Sequence, residues 1–243
     1  MIGYAFCGSH CTLSHSLAAL RRLRAEGVDI LPIFSERVAT TDTRFWKAAD
    51  FCETVETMCG RKAVSTIVEA EPLGPVTPLD ALVIAPCTGN TLAKKAQGIT
   101  DSAVTMAAKA HLRCDRPTLI ALASNDSMSA NLANIATLLG RKQVFFVPMR
   151  QDDPEKKPHS LVADFTYLPE CLTAALAGHQ LRPLCLCESP EACTDGNAAE
   201  GKTATDESVR ELVTKKRRCA RKTGRNAVIV NRITRDRRVT EKR

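Results

Sequence analysis

Leu79-Asp80-Ala81-Leu82-Val83-Ile84-Ala85-Pro86-Cys87-Thr88-Gly89-Asn90-Thr91 is the stretch on which the fold turns. Residues 79–85 are nearly continuously apolar, broken only by Asp80, and read as a buried strand that Pro86 stops. Cys87 to Thr91 is a turn of small and hydrogen-bonding residues. Helical spacing takes over at Leu92, Ala93 and Ala96, pauses at Gly98 and restarts after Asp101-Ser102. A turn at the carboxyl end of a parallel strand is where open α/β sheets bind ligands. Exposed backbone N–H groups with short side chains beside them suit a flat polar ring or a phosphate.

Outward from this stretch the same alternation repeats. Ile2 to Phe6 is a short apolar run ended by Cys7-Gly8-Ser9, after which Leu13, Leu17, Leu20 and Leu23 share one helical face and Gly27 supplies a stop. Val28 to Phe34 predicts a second strand with an irregular end at Pro32. Phe45 to Val68 reads as largely helical, and Glu71 to Pro78 as a stiff connection. Thr118 to Ala123 and Val144 to Val147 are further strands, separated by a helix with Leu132, Ile135, Leu138 and Leu139 on one side and Gly140 at its end. Pro169 opens a last helix through Ala177. Strands alternating with helices predict an α/β protein, a parallel sheet covered on both faces.

The net charge of +7 is concentrated in one region. Residues 1–184 carry 19 basic and 18 acidic side chains, residues 185–201 four acids and no base, and residues 202–243 15 basic and 5 acidic side chains. The body is therefore almost neutral, and residues 185–243 form a low-complexity tail, first acidic and then basic, expected to be disordered. No aromatic residue follows Tyr167, so base stacking has no platform there, and only a nonspecific contact with nucleic acid through charge is open to it. No apolar run is long enough to span a membrane, and the N-terminus begins on a strand with no room for a signal peptide, so a cytoplasmic protein is expected. The 11 cysteines, scattered through strands, turns and helices, fit buried free thiols in a reducing compartment.

Gly8-Ser9-His10-Cys11-Thr12 lies between the first strand and first helix. It lacks the G-x-G-x-x-G dinucleotide pattern, but one glycine, two hydroxyls and a helix N-terminus can hold a single phosphate. The alternative is a tight turn in which Ser9 or Thr12 caps the helix. Cys7, His10, Cys11 and His15 are zinc-like in type. However, Cys7 ends a strand and His15 lies inside a helix, so no metal site is assigned.

Several segments in order carry a resemblance. They are Gly8 to Thr12, Thr43-Arg44-Phe45, Ala70-Glu71-Pro72-Leu73-Gly74-Pro75, Ala85-Pro86-Cys87-Thr88-Gly89-Asn90, Met106-Ala107-Ala108-Lys109-Ala110, and Gln151-Asp152-Asp153-Pro154 with Lys157-Pro158. Through them residues 1–184 resemble the flavoprotein family that contains cysteine decarboxylases, and within it the dipicolinate synthase branch. The resemblance implies a three-layer Rossmann-like or flavodoxin-like fold and bound FMN. It also implies a role beside a different chain (the A subunit, carrying NADP or NAD) in making dipicolinate from a lysine-pathway intermediate in the cytoplasm of a sporulating cell. A homo- or hetero-oligomer is expected. By the same resemblance Gly8, Ser9 and Ser35 lie near the flavin phosphate, and Pro86, Cys87, Thr88, Gly89, Asn90 and Thr91 meet the flavin ring. Asp101 and Ser102 form a further flavin-side turn.

The departures are specific. No histidine occurs between His15 and His111, where decarboxylating relatives use one, and Asn125-Asp126-Ser127-Met128 stands where they carry a methionine-asparagine segment. Cysteine decarboxylation is therefore not expected. A pyridine with two carboxylates needs cations and N–H donors to hold it, and aromatising its reduced precursor needs proton removal and a hydride acceptor. Lys109, Arg44, Lys156 and Lys157 are candidate carboxylate contacts, Lys109 also a catalytic candidate, and His10 a candidate proton carrier. The alternative for each lysine is a solvated surface charge, and for His10 a hydrogen bond at the helix entry. Asp152 to Pro158 reads as a polar flap over the sheet edge. A scaffold that activates its partner without flavin is the alternative function.

Overall fold

Residues 1–186, 209–211 and 213–215 are described, in a computed structural model of the 243-residue chain. The strands are β1 (Ile2–Phe6), β2 (Ile30–Phe34), β3 (Ala81–Cys87), β4 (Thr118–Ser124), β5 (Val144–Phe146), β6 (Met149–Gln151) and β7 (Leu161–Ala163). The helices are α1 (Leu13–Ala25), α2 (Glu36–Thr40), α3 (Ala48–Cys59), α4 (Ile67–Ala70), α5 (Gly89–Gln97), α6 (Ala103–Leu112), α7 (Leu132–Leu139) and α8 (Leu168–Ala177). Strands β2-β1-β3-β4-β5 pair in that order, all parallel. The order in which strands are added thus reverses between β1 and β3, leaving a crevice beyond their carboxyl ends. α1 and α8 cover one face with α3 beside α1; α5, α6 and α7 cover the other with α4 beside α6.

The leucine stripe of α1 is buried as its spacing requires, with Leu13, Leu17, Leu20 and Leu23 in the core. Two buried hydroxyls tie the layers. Tyr4 donates to the Ser16 carbonyl at 3.0 Å, and the Ser16 hydroxyl donates to the Ala85 carbonyl at 2.6 Å, joining β1, α1 and β3. With water excluded, burial pushes the Tyr4 phenol above its ordinary pKa. Phe6, Phe34, Phe51 and Trp46 form an aromatic cluster that seats α3 on the β1–β2 edge.

Four sequence readings need correction. Pro86 does not end β3; the strand continues to Cys87 through a cis Ala85–Pro86 peptide, and the β3–β4 register shifts between Ile84 and Cys87. No ladder donor is needed at the shift, so proline is tolerated there. Pro32 is not an irregular end, because it lies mid-strand opposite Tyr4 and its carbonyl accepts from Val64 N–H at 3.0 Å. Phe45 to Val68 is helical only over α3 and the first residues of α4. Thr43 Oγ1 instead accepts from the Phe45 and Trp46 N–H groups, both at 3.2 Å, which folds a turn. Finally, a hairpin was missed. β7 pairs antiparallel with β6 and with the end of β4, so β4 binds β5 along its first half and β7 along its second.

Of the tail, Cys185 and Leu186 extend past β6, where Leu186 N–H donates to the Met149 carbonyl at 2.8 Å. Residues 209–211 and 213–215 are helical, and Val209 is buried in the main core. The disorder expected of the tail lies otherwise outside the described residues. No described helix is long and apolar enough to cross a membrane.

His111, at the end of α6, is fully buried and its Nε2 lies 2.9 Å from the Pro117 carbonyl. That acceptor assigns the proton to Nε2 and leaves Nδ1 bare and without a partner among the described residues. Burial, opposed by that hydrogen bond, pulls the imidazole pKa down to about 4. The folded state therefore resists a proton that the unfolded chain accepts near pH 6.5, and stability falls as pH drops from that value through 4. Between pH 7 and pH 4.5 this group removes about 2 kcal/mol. Urea midpoints at the two pH values should converge by that amount in His111→Gln relative to the parent; an unchanged gap would refute the assignment.

Candidate functional site

The crevice is built by the turns leaving β1, β2 and β3. Cys7 N–H donates to the Pro86 carbonyl at 3.2 Å, and Ser35 N–H to the Phe6 carbonyl at 3.0 Å, which holds the three strand ends together. After β1, His10 to Thr12 is a single 3-10 turn leading into α1. Neither Ser9 nor Thr12 caps a helix with its side chain, contrary to the local reading. Thr12 Oγ1 instead donates to the Ser9 carbonyl and hydroxyl, both at 3.0 Å. A Cβ on Gly8 would sit 3.2 Å from Arg37 Cβ, so its bare α-carbon keeps the turn narrow. The Ser35 hydroxyl is buried and has no hydrogen-bond partner among the described residues. An orphaned hydroxyl beside a glycine turn is what a bound phosphate oxygen would satisfy.

The β3 turn is more heavily supported. Thr88 Oγ1 caps α5 by accepting from Thr91 N–H at 3.3 Å. Thr91 is buried beside Cys7, while Asn90 is exposed and its side chain makes no hydrogen bond among the described residues. Burial pushes the Cys7 thiol up to about 11 and holds that of Cys87 well above the ordinary value, so both are protonated, apolar walls rather than nucleophiles. Gly89 backs onto a polar knot that the sequence reading missed. Asp126 accepts from Ser124 Oγ and, at 2.8 Å, from Asn131 Nδ2, and Asn134 Nδ2 donates to Asn131 Oδ1 at 2.9 Å. The Ser124 hydroxyl, with Asn131, holds the Asp126 carboxyl below the usual carboxylate range.

Other candidates are scattered. His10 sits by Gly8, its Nε2 3.5 Å from where a Gly8 Cβ would be, and its side chain makes no hydrogen bond among the described residues. Arg44 is exposed in the turn before α3, its guanidinium 4.8 Å from the Phe45 ring centroid. Asp152 to Pro158 is the β6–β7 connection. Lys157 pairs with Asp152 there, and Lys156 with Asp153 at 3.9 Å. Lys157 also lies within electrostatic reach of Cys11, so the flap borders the first turn. Met128 N–H donates to the His159 carbonyl at 2.9 Å, anchoring the flap's far end to the loop after β4.

Asp101 and Ser102 lie beyond the other end of α5, a helix length of about 13 Å from Asn90. Asp101 pairs with Lys94 at 2.7 Å, and Ser102 forms a capping box with Thr105 for α6. Lys109 belongs to a separate cavity between α5 and α6. His15 is turned away from the first turn and stacks on Phe165, ring centroids 6.3 Å apart.

A doubly wound sheet in this order, with a glycine turn, an orphaned hydroxyl and a capped helix at the β1/β3 crevice, defines a flavodoxin-like α/β protein. The chain belongs to the Flavoprotein family, whose model matches residues 2–166. It is 43% identical over 183 residues to the B subunit of dipicolinate synthase from Bacillus subtilis (strain 168), covering 75% of this chain and 92% of that protein. The crystal structure of the dipicolinate synthase B subunit from Bacillus halodurans C is similar at a TM-score of 0.70 and 40% identity, covering 76% of this chain and 95% of that one. An FMN-dependent cysteine decarboxylase, SpaF, shares the fold at a TM-score of 0.52 and 22% identity, covering 72% of this chain and 94% of its own.

Proposed function

We propose that this chain is the B component of a dipicolinate synthase, holding FMN in the β1/β3 crevice. It works with a nicotinamide-binding A subunit, which brings NADP or NAD, to oxidise a dihydrodipicolinate-type precursor to dipicolinate. The observation that carries this reading is the 43% identity extending over nearly the whole length of the Bacillus subtilis protein. The residues present fit the cofactor: Ser35 offers an unsatisfied buried hydroxyl, Gly8 a bare α-carbon, and Asn90 a free amide at a helix N-terminus. FMN, when bound, supplies a two-electron acceptor.

The chain's own part is binding and proton handling. Gly8, Ser9 and Ser35 take the phosphate, and the turn from Pro86 to Thr91 faces the ring. His10 receives the proton that leaves the dihydropyridine ring, while Arg44, Lys156 and Lys157 supply cations for its two carboxylates. Closing on a dianion would require the two lysines to leave Asp153 and Asp152. The setting this implies is the cytoplasm of a sporulating bacterium, with the chain in an oligomer. The body of residues 1–184 is the catalytic unit, and truncation at Leu184 tests whether the tail takes part.

Visible absorption before and after adding FMN, followed by desalting, tests the cofactor. Retained flavin absorbance is expected, and Ser35→Ala should weaken FMN binding by about tenfold or more, the loss of one charge-assisted hydrogen bond. Product formation is expected with the A subunit and nicotinamide present, and none from this chain alone. A colourless protein that still activates the A subunit would instead establish the flavin-free scaffold.

A further inference from the structure

The cavity at the far end of α5 is the most chemically distinctive feature left unused by the crevice. It measures about 410 Å³ and lies between the C-terminal turn of α5 and the face of α6 that carries Thr105, Lys109 and Leu112. Four cationic residues line it (Lys95, Lys109, Arg113 and Arg141) and no acidic one. Arg141 is accounted for, since its guanidinium donates to the Lys95 carbonyl at 3.1 Å and the Ala96 carbonyl at 2.6 Å, closing the end of α5. The other three are not.

Lys95 is only 6% exposed, and its Nζ has no hydrogen-bond partner among the described residues. Lys109 and Arg113 are exposed at the rim, one helical turn apart on α6, and neither side chain makes a hydrogen bond or ion pair among the described residues. A buried ammonium without a partner is expensive unless something of opposite charge visits it. The neighbouring Lys94 shows the ordinary solution for a surface lysine, a 2.7 Å pair with Asp101. Lys95 instead lines the cavity.

We propose that this cavity binds a small dianion, a dicarboxylate or a phosphate, with Lys95 at its floor and Lys109 and Arg113 at its mouth. The cavity opens at the opposite end of α5 from the crevice turn, although Lys95 at its floor is within electrostatic reach of Cys87. Ile99, Ala108 and Leu112 wall it with apolar surface that strengthens each charge contact by excluding water. Burial pulls the Lys95 pKa down to about 8, so the amine still carries its proton at neutral pH. The site stands whether or not the crevice holds flavin.

Calorimetric titration of the full chain with inorganic phosphate, with glutarate and with uncharged glutaramide tests the proposal. One of the two anions is expected to bind at one per chain, and which one binds identifies the source; glutaramide should not bind. Lys95→Met, which keeps the side-chain length without charge, should weaken that anion by about tenfold or more, and so should the exposed double change Lys109→Gln/Arg113→Gln. Ser35→Ala should leave it unchanged. No anion binding, or binding that survives both sets of changes, would overturn the site. Binding lost in Ser35→Ala but kept in Lys95→Met would place the anion in the crevice instead, and also overturn it.

Discussion

Gly89→Ala should cost the folded protein about 2–3 kcal/mol and disturb the β3 turn proposed to face the flavin, a large effect for a single methyl group. The new Cβ would lie 2.4 Å from Ser124 Oγ, 2.6 Å from Asn131 Nδ2 and 2.7 Å from Asp126 Oδ1. None of these can yield cheaply. Asn131 is 4% exposed, and its amide is tied to both Asp126 and Asn134. Ser124 and Asn131 both donate to Asp126, so moving any one of the three leaves a polar group without its partner. The alternative is that α5 slides outward, taking Thr88, Asn90 and Thr91 from their places at the crevice. A melting point about 5–10 °C lower follows for a domain of this size. Gly98→Ala is the control: its φ of +76° makes it a strained position, but a Cβ there meets nothing within 4 Å, and the loss should stay near about 1 kcal/mol. Equal melting points for the two variants would remove the polar knot from this account.

Lys95→Met, by contrast, should stabilise the free protein. The lysine pKa falls from 10.5 to about 8 because burial disfavours the charged form. A group whose folded pKa is depressed binds its proton less readily when folded, so the penalty is complete below pH 8 and fades as pH rises from 8 towards 10.5. The shift corresponds to about 3 kcal/mol at neutral pH. Removing the amine should therefore raise the melting point at pH 7 by several degrees, with the advantage shrinking at pH 10. A variant that melts lower than the parent at pH 7 would show that Lys95 is satisfied in solution. Stability gained by deleting a side chain is the usual mark of a residue retained for binding.

The alternation of apolar runs made the five parallel strands legible, because each is long enough, or apolar enough, to show against its neighbours. β6 and β7 were not, being three residues each and only partly buried, with no run for a pattern to occupy. Pro86 misled because proline normally ends a ladder, whereas here the register shift removes the need for its missing donor. The crevice turns were visible as Gly8-Ser9 and Cys87 to Thr91, since ligand turns concentrate small residues after strands. The knot behind Gly89 was hidden by distance along the chain, its members lying at 124, 126 and 131. Lys95 did leave a signal: with Leu92 and Ala96 it shares the buried stripe of α5, where a charge does not belong.

The forked pairing of β4 has a mechanical result. Its first three residues are clasped by β5 and its last two by β7, so the β6–β7 arm and the Ser124–Asn131 loop grow from one root. The Met128–His159 hydrogen bond fastens them again further out. Two segments some thirty residues apart are thereby riveted at both ends into a single truss. The arm cannot be lengthened, shortened or shifted along β4 without pulling on the seat of α5, whereas the span between Asp152 and Pro158, which carries Lys156 and Lys157, hangs outside the rivets.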